Sequence, residues 1–121
     1  MKASELRIGN FVKSIDIEYV VSQIDVHGNI KGVEGDTSFN LDKTTEPIPL
    51  TSEWLLKFGF KEYKGYYIEK EYGIISFYFN HLDELTCEVY DWTFRNIKYV
   101  HQLQNLYFGL TGEELIIKEV K

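Results

Sequence analysis

Cys87, the single cysteine, and His101 are a thiol and an imidazole of the types that supply a nucleophile and its base. Cys87 lies between Thr86 and Glu88 in a strand-like pattern. A neighbouring carboxylate disfavours the thiolate, and such a cysteine reads more simply as a small buried hydrophobe. His81-Leu-Asp83-Glu84 has the residue types of a metal site but falls in an expected loop, and a metal site also needs further ligands and supporting hydrogen bonds. The three histidines, 27, 81 and 101, belong to different elements. The adjacent carboxylates Asp83/Glu84 and Glu113/Glu114 sit in turns or at a helix end, where solvated charge is the default. Neither a phosphate-cradling glycine loop nor a His-Glu-x-x-His helix occurs. No catalytic residue, metal or cofactor is therefore expected, and the chain reads as a protein that is not an enzyme.

Binding chemistry has more warrant. His101, Gln104, Asn105 and Phe108 recur at three- and four-residue spacing, so on a helix they form one strip of donors, acceptors and a stacking ring without fixed charge. Such a strip suits an amide- or base-like edge, or else it packs against residues 1–46 and fixes the domain arrangement. A second candidate surface is aromatic. In strand alternation Tyr78, Glu88, Tyr90 and Trp92 face outward, and exposed Tyr and Trp are enriched at interfaces. The alternative is that residues 3–46 cover that face as a second core. Arg7 and Arg95 are the only arginines, and a phosphate ligand would need at least one of them.

These residues need elements to position them. Leu6-Arg-Ile-Gly-Asn-Phe-Val12, Glu18–Val26, Ile30–Val33 and Thr37–Leu41 read as short strands separated by turn signals such as His27-Gly28-Asn29. The spacing predicts a small antiparallel β subdomain over 1–46, an SH3-like barrel being one form it can take. Glu46-Pro-Ile-Pro-Leu50 is an extended strap. Thr51 then caps a short helix, with Glu53 in its first turn and Gly59 at its end; Trp54, Leu55 and Phe58 are its core residues. Tyr66–Lys70 and Ile74–Asn80 flank a Tyr72-Gly73 turn, and Thr86–Trp92 is a third strand, with Phe94–Ile97 a fourth or a lead-in. Ile75, Phe77, Phe79, Cys87 and Val89 form the inward set. Residues 98–115 carry a long helix with Val100, Leu103, Tyr107 and Leu110 on its core face and Gly112 as its left-handed cap. Leu115–Glu119 adds an edge strand. The fold expected is α+β: a 1–46 β subdomain and a 47–121 α+β subdomain, the latter a C-terminal antiparallel sheet with one long helix packed on it, in one compact unit overall.

The chain has 121 residues, 44% hydrophobic and 26% charged, as expected of one ordinary globular domain. Its net charge of -6 is evenly spread: residues 1–60 carry six basic and nine acidic side chains, residues 61–121 seven and ten. With no basic cluster to displace phosphate counterions, duplex nucleic acid is not an expected partner. An acidic protein can instead occupy a basic protein surface, although the even spread argues against a nucleic-acid mimic. No run of 18 apolar residues exists, so no membrane partner is expected. The N-terminus lacks an apolar signal core, and a single cysteine fits a reducing cytoplasm.

Three blocks, Leu6-Arg-Ile-Gly-Asn-Phe-Val12, Pro47-Ile-Pro-Leu-Thr-Ser-Glu-Trp-Leu-Leu-Lys-Phe-Gly-Phe60 and Lys98–Leu115, resemble a family of small uncharacterised proteins of Bacteroidetes and their phages. The resemblance covers about a third of the chain and brings no activity, cofactor or site residue. It implies a phage or mobile-element accessory protein of the host cytoplasm. The function expected from both lines is non-enzymatic binding of a host component, a host protein or a small nucleotide-like ligand, as in counter-defence. The alternative is a structural role through homo-oligomerisation.

Overall fold

The computed structural model describes residues 5–41, 45–69, 71–90, 92–94 and 97–118. The chain divides into two compact units, Met1–Pro49 with Tyr99–Gly112, and Leu50–Lys98 with Glu113–Lys121. The division after Pro49 falls close to the expected 46/47 break. However, Tyr99–Gly112 returns to the first unit, whereas the sequence reading kept 47–121 together as part of one compact unit.

In the first unit β1 (Phe11–Ser14), β2 (Ile17–Ile24), β3 (Ile30–Glu34), β4 (Thr37–Asn40) and β5 (Thr45–Glu46) form an antiparallel sheet of order β4-β3-β2-β1-β5. Three of the four expected strands are present near their expected bounds; the first, read over Leu6–Val12, begins only at Phe11, after the turn at Ile8-Gly9. The barrel does not form: β4 and β5 are the two ends of the sheet and do not pair with each other, so among the described residues nothing closes it. The turn at His27-Gly28-Asn29 forms because Asp25 Oδ1 accepts the His27 and Asn29 N–H groups, at 2.8 and 2.9 Å. The β1–β2 turn is less suited to its sequence, since Ile15 and Asp16 both take positive φ, 50° and 63°, a region that β-branched residues avoid. The apolar cluster is Leu6, Val12, Tyr19, Val21, Ile30 and Leu41. Gly32 in β3 is required there, because a Cβ would collide with the Leu41 and Tyr19 side chains.

The long helix α2 (Val100–Thr111) completes this unit. Gln102 Oε1 accepts the Tyr99 N–H at 3.1 Å, and the Val100 N–H donates to Ile48 O at 2.9 Å, so two donors at the start of the helix are partnered. Gly112, φ 74°, ends the helix in the expected left-handed cap. Val100, Leu103 and Tyr107 are buried as expected. Leu110 is 42% exposed instead: it lies in the last turn, beyond the last buried residue of that face.

In the second unit Thr51 Oγ1 accepts the Trp54 N–H and caps α1 (Ser52–Lys57), with Glu53 in the first turn. Trp54, Leu55 and Phe58 are buried, as the sequence indicates. β6 (Lys61–Tyr63), β7 (Tyr66–Ile68), β8 (Ile75–Phe79), β9 (Leu85–Val89) and β10 (Trp92–Phe94) form an antiparallel meander. The expected third strand does not run through to Trp92. Tyr90 takes φ 54°, the chain reverses, and Trp92 pairs back with Val89. Ile75, Phe77, Cys87 and Val89 are buried as expected, whereas Phe79 at the strand end is exposed. No edge strand forms over Leu115–Lys118; that segment instead donates the Lys118 N–H to Lys57 O, at 2.7 Å, at the open end of α1. Glu119 lies outside the described residues.

The fold is α+β: two five-stranded antiparallel sheets and the helix 100–111.

Candidate functional site

The strip on α2 is closed by its own unit. Gln104 is 1% exposed; its Oε1 accepts the Phe11 N–H at 2.8 Å and its Nε2 donates to Gly9 O at 3.0 Å. Asn105 Oδ1 accepts from Arg7 Nε and from Asn10 Nδ2, each at 2.9 Å, and Asn105 Nδ2 donates to Glu5 O at 3.2 Å. The Arg7 guanidinium lies 4.3 Å from the centre of the Phe108 ring. Three of the four strip residues therefore hold the irregular segment 5–11. The Gln104 amide takes the Phe11 N–H and the Gly9 C=O, while Val21 of β2 pairs with the Gly9 N–H and the Asn10 C=O, so the segment's backbone groups are shared between helix and sheet. His101 and Gln104 face inward and Asn105 is half-buried, while Phe108 remains 39% exposed; of the two arrangements the sequence allowed, the two amides take packing against residues 1–46. Arg7, one of the two arginines a phosphate would need, is engaged in this clamp. Arg95 is outside the described residues.

His101 is also interior, 3% exposed, its ring stacked near Tyr99 with centroids 6.1 Å apart. Its Nδ1 is buried without a hydrogen-bond partner. Burial lowers its pKa, and the carboxylate of Glu5 offsets this only in part.

The aromatic surface of the second sheet differs from the expected set. Register places Tyr63, Tyr66, Tyr78 and Thr86 directly opposite one another across β6, β7, β8 and β9. Opposed residues share a face, so three tyrosines stand in one row. The Tyr66 and Tyr78 rings are 5.5 Å apart at 43°, and Lys64 Nζ lies 5.5 Å from the Tyr63 ring. Glu88 shares this face through Ser76. Trp92 does not: paired with Val89, it lies on the face of the buried set at the sheet edge, 74% exposed. Tyr90 is in the turn, 70% exposed. The expected group Tyr78, Glu88, Tyr90, Trp92 assumed one continuous strand, and the reversal at Tyr90 separates it. Tyr63 and Tyr66 were missed. The signal for them was Lys64-Gly65, a two-residue turn with φ of 51° and 87° that sets Tyr63 opposite Tyr66.

A pocket of about 400 Å³ lies beside this row in the same unit. Thr86 links the two, since it pairs with Tyr78 and also lines the pocket. The β8–β9 loop forms one wall. Asn80 Oδ1 accepts the Leu82 and Glu84 N–H groups at 2.8 and 3.0 Å, which fixes the loop carrying His81, Leu82 and Glu84. Leu50 and Lys98, joined by the Leu50 N–H to Lys98 O bond of 2.9 Å, also line it, with Ile97.

The remaining chemistry is sparse. Burial, and secondarily the charge of Glu88, pushes the Cys87 thiol up to about 12, so it is not a thiolate at neutral pH. Cys87 lies in the second unit and His101 in the first. Among the described residues no group of three or more His, Cys, Asp or Glu is placed to hold a metal ion, His81, Asp83 and Glu84 included. Nor is any helix among them long and apolar enough to cross a membrane. No family model, curated protein or solved structure matches the chain.

Proposed function

We propose that this chain is a non-enzymatic binding protein of phage or mobile-element origin that engages a host protein in the host cytoplasm through the Tyr63–Tyr66–Tyr78 row. The observation that carries this reading is the row itself. Three rings of amphipathic side chains, each with a rigid apolar body and a hydroxyl at its edge, stand together on one sheet face, a composition favoured at interfaces. The origin rests on the resemblance of the Leu6–Val12, Pro47–Phe60 and Lys98–Leu115 blocks to proteins of Bacteroidetes and their phages. A nucleotide-like ligand has less support, because Arg7 is already engaged with Asn105 and Phe108. The test is amide hydrogen exchange of the protein alone and with a candidate host protein, followed by Tyr66→Ser. Protection confined to β6, β7 and β8, with affinity lost in the still-folded variant, is expected. Binding unaffected by Tyr66→Ser and Tyr63→Ser removes the row as the contact surface.

One observation favours a second reading, self-assembly through β10. This edge strand is Trp-Thr-Phe, without the charge that edge strands commonly carry against pairing, and Trp92 and Phe94 are both exposed. A dimer at micromolar concentration by light scattering, abolished by Thr93→Pro, would favour it over the host-protein reading.

A further inference from the structure

β10 is one end of the second unit's sheet, and the neighbouring strands fix which of its backbone groups point outward. The Tyr90 N–H bonds to Ile74 O, and the Asn80 N–H bonds to Glu84 O. Ile75 lies opposite Val89 and Phe79 opposite Leu85, so these bonds make both positions non-hydrogen-bonded pairs of β8 and β9. The N–H and C=O groups of Val89 and Cys87 therefore point the other way, to β10, where Val89 meets Trp92 and Cys87 meets Phe94. Thr93, between them, turns its N–H and C=O off the edge of the sheet. Trp92 and Phe94 lie on the face of the buried set, and both are exposed.

This strand is complementary to itself. A copy laid antiparallel about a two-fold axis at Thr93 exchanges both Thr93 N–H···O=C bonds with its twin. The same register sets Trp92 opposite Phe94 of the second copy, twice, on one face, and cross-strand aromatic pairs are favourable. Charge selects this edge over the sheet's other one. β6 is Lys61-Glu62-Tyr63, and the same operation there sets Glu62 against the Glu62 of a second copy, a destabilising like-charge pair. β10 carries no charge. Asp91 and Arg95 lie outside the described residues; in the sequence they are opposite in sign and equidistant from Thr93, so an antiparallel copy centred there brings no like charges together.

We propose, resting on the self-assembly reading of β10 and adding its register and stoichiometry, that this chain forms a two-fold dimer in which the β10 strands of two copies pair antiparallel about Thr93 and join their five-stranded sheets into one. The dimer does not depend on the host-protein reading, and it leaves the tyrosine row, on the opposite face, uncovered. Three residues a side make a small contact, so the dimer forms and parts with concentration.

The experiment combines light scattering over a concentration series with cysteine cross-linking of the full chain. The protein should pass from monomer to dimer with rising concentration and go no further. Trp92→Ala should weaken the dimer at least about 10-fold, since each copy loses an aromatic anchor. Thr93→Pro should abolish it and keep the parent melting temperature, because the N–H it removes bonds nothing in its own sheet. Thr93→Cys should give a covalent dimer on mild oxidation: hydrogen-bonded partners have Cα atoms about 5.5 Å apart, within the roughly 4.4–6.8 Å that a disulfide spans. Cys87, buried and with its thiol pushed up to about 12, does not compete. Glu62→Cys, at the other edge, should give no cross-link. A strict monomer at millimolar concentration overturns the self-assembly reading and the dimer together, as does association that survives Thr93→Pro. A dimer lost in Thr93→Pro that gives no cross-link in Thr93→Cys, or that is as tight in Trp92→Ala as in the parent, leaves that reading standing and overturns the register. Growth beyond two copies, or cross-linking of Glu62→Cys as fast as of Thr93→Cys, overturns the two-fold closure.

Discussion

The α2 strip and the tyrosine row are both polar surfaces built on regular elements, and they end in opposite states. Gln104 and Asn105 are satisfied by Gly9, Asn10, Phe11, Arg7 and Glu5 of their own unit. Tyr63 is exposed and Tyr66 half exposed. The difference follows from what each side chain needs. An amide carries two donors and an acceptor with two lone pairs, so an irregular backbone segment nearby can satisfy it fully and be held in return. A tyrosine on a sheet needs only ring contact and tolerates water at its hydroxyl, so it can wait for a partner. An uncharged polar stripe on a helix is thus as much a signature of an internal clamp as of a recognition edge.

The comparison breaks most visibly through stability. Leu103→Ala, at a fully buried site, should cost roughly 2–5 kcal/mol in chemical denaturation. Gln104→Ala comes next: it leaves the part-buried Phe11 N–H and Gly9 O without their partner, each such loss being worth about 1–3 kcal/mol when the group stays shielded from water. If Gln104→Ala melts like the parent protein, the clamp is not formed and the strip returns as a recognition candidate. Asn105→Ala, which also unties Arg7 and Asn10, should sharpen the same point by raising hydrogen exchange over residues 5–11.

Much of the fold was legible because its signals are local. The Thr51 cap, the Gly112 stop, the His27-Gly28-Asn29 turn and the Ile75/Phe77/Cys87/Val89 face each follow from a few neighbouring residues. Three things were not. The reversals at Ile15 and Tyr90 place positive φ on residues that rarely accept it, so only Asp16 offers a turn signal there. The membership of α2 in the first unit depends on hydrogen bonds spanning more than ninety residues of sequence, such as Gln104 to Phe11. The tyrosine row depends on the register of four strands, which slips to the other face with any one-residue error.

Acidity gives a smaller effect with a defined window. His101 is buried, and its native pKa lies below the ordinary value near 6.5. The unfolded chain therefore binds a proton that the native state resists, so stability is unaffected above that value. It falls as pH drops from there toward the lowered native pKa, then levels off. Asp25 acts in the same direction in a lower range: hydrogen bonds, chiefly from Asn29, lower its pKa below 3.8. Melting temperatures between pH 7 and 5 should fall, and His101→Phe should flatten that limb while leaving the Asp25 region alone. An unchanged limb in the variant would place the titrating group elsewhere.

The smallest stability change is expected at the tyrosine row, and that is what makes it the sharpest discriminator. Tyr66 is half exposed and contacts Tyr78 across one cross-strand pair, so Tyr66→Ser should cost within about 1 kcal/mol. Its effect on partner affinity should be disproportionate, because a central aromatic anchor at an interface often costs 2 kcal/mol or more when truncated, on the order of 30-fold in Kd. Gln104→Ala should show the reverse pattern, a large stability loss and, in the folded fraction, unchanged affinity. Measuring both quantities for both variants places each surface on one side of the comparison. If Tyr66→Ser destabilises as much as Gln104→Ala, the row is a closed core like the clamp, and the binding surface must be sought at the exposed Trp92–Phe94 edge.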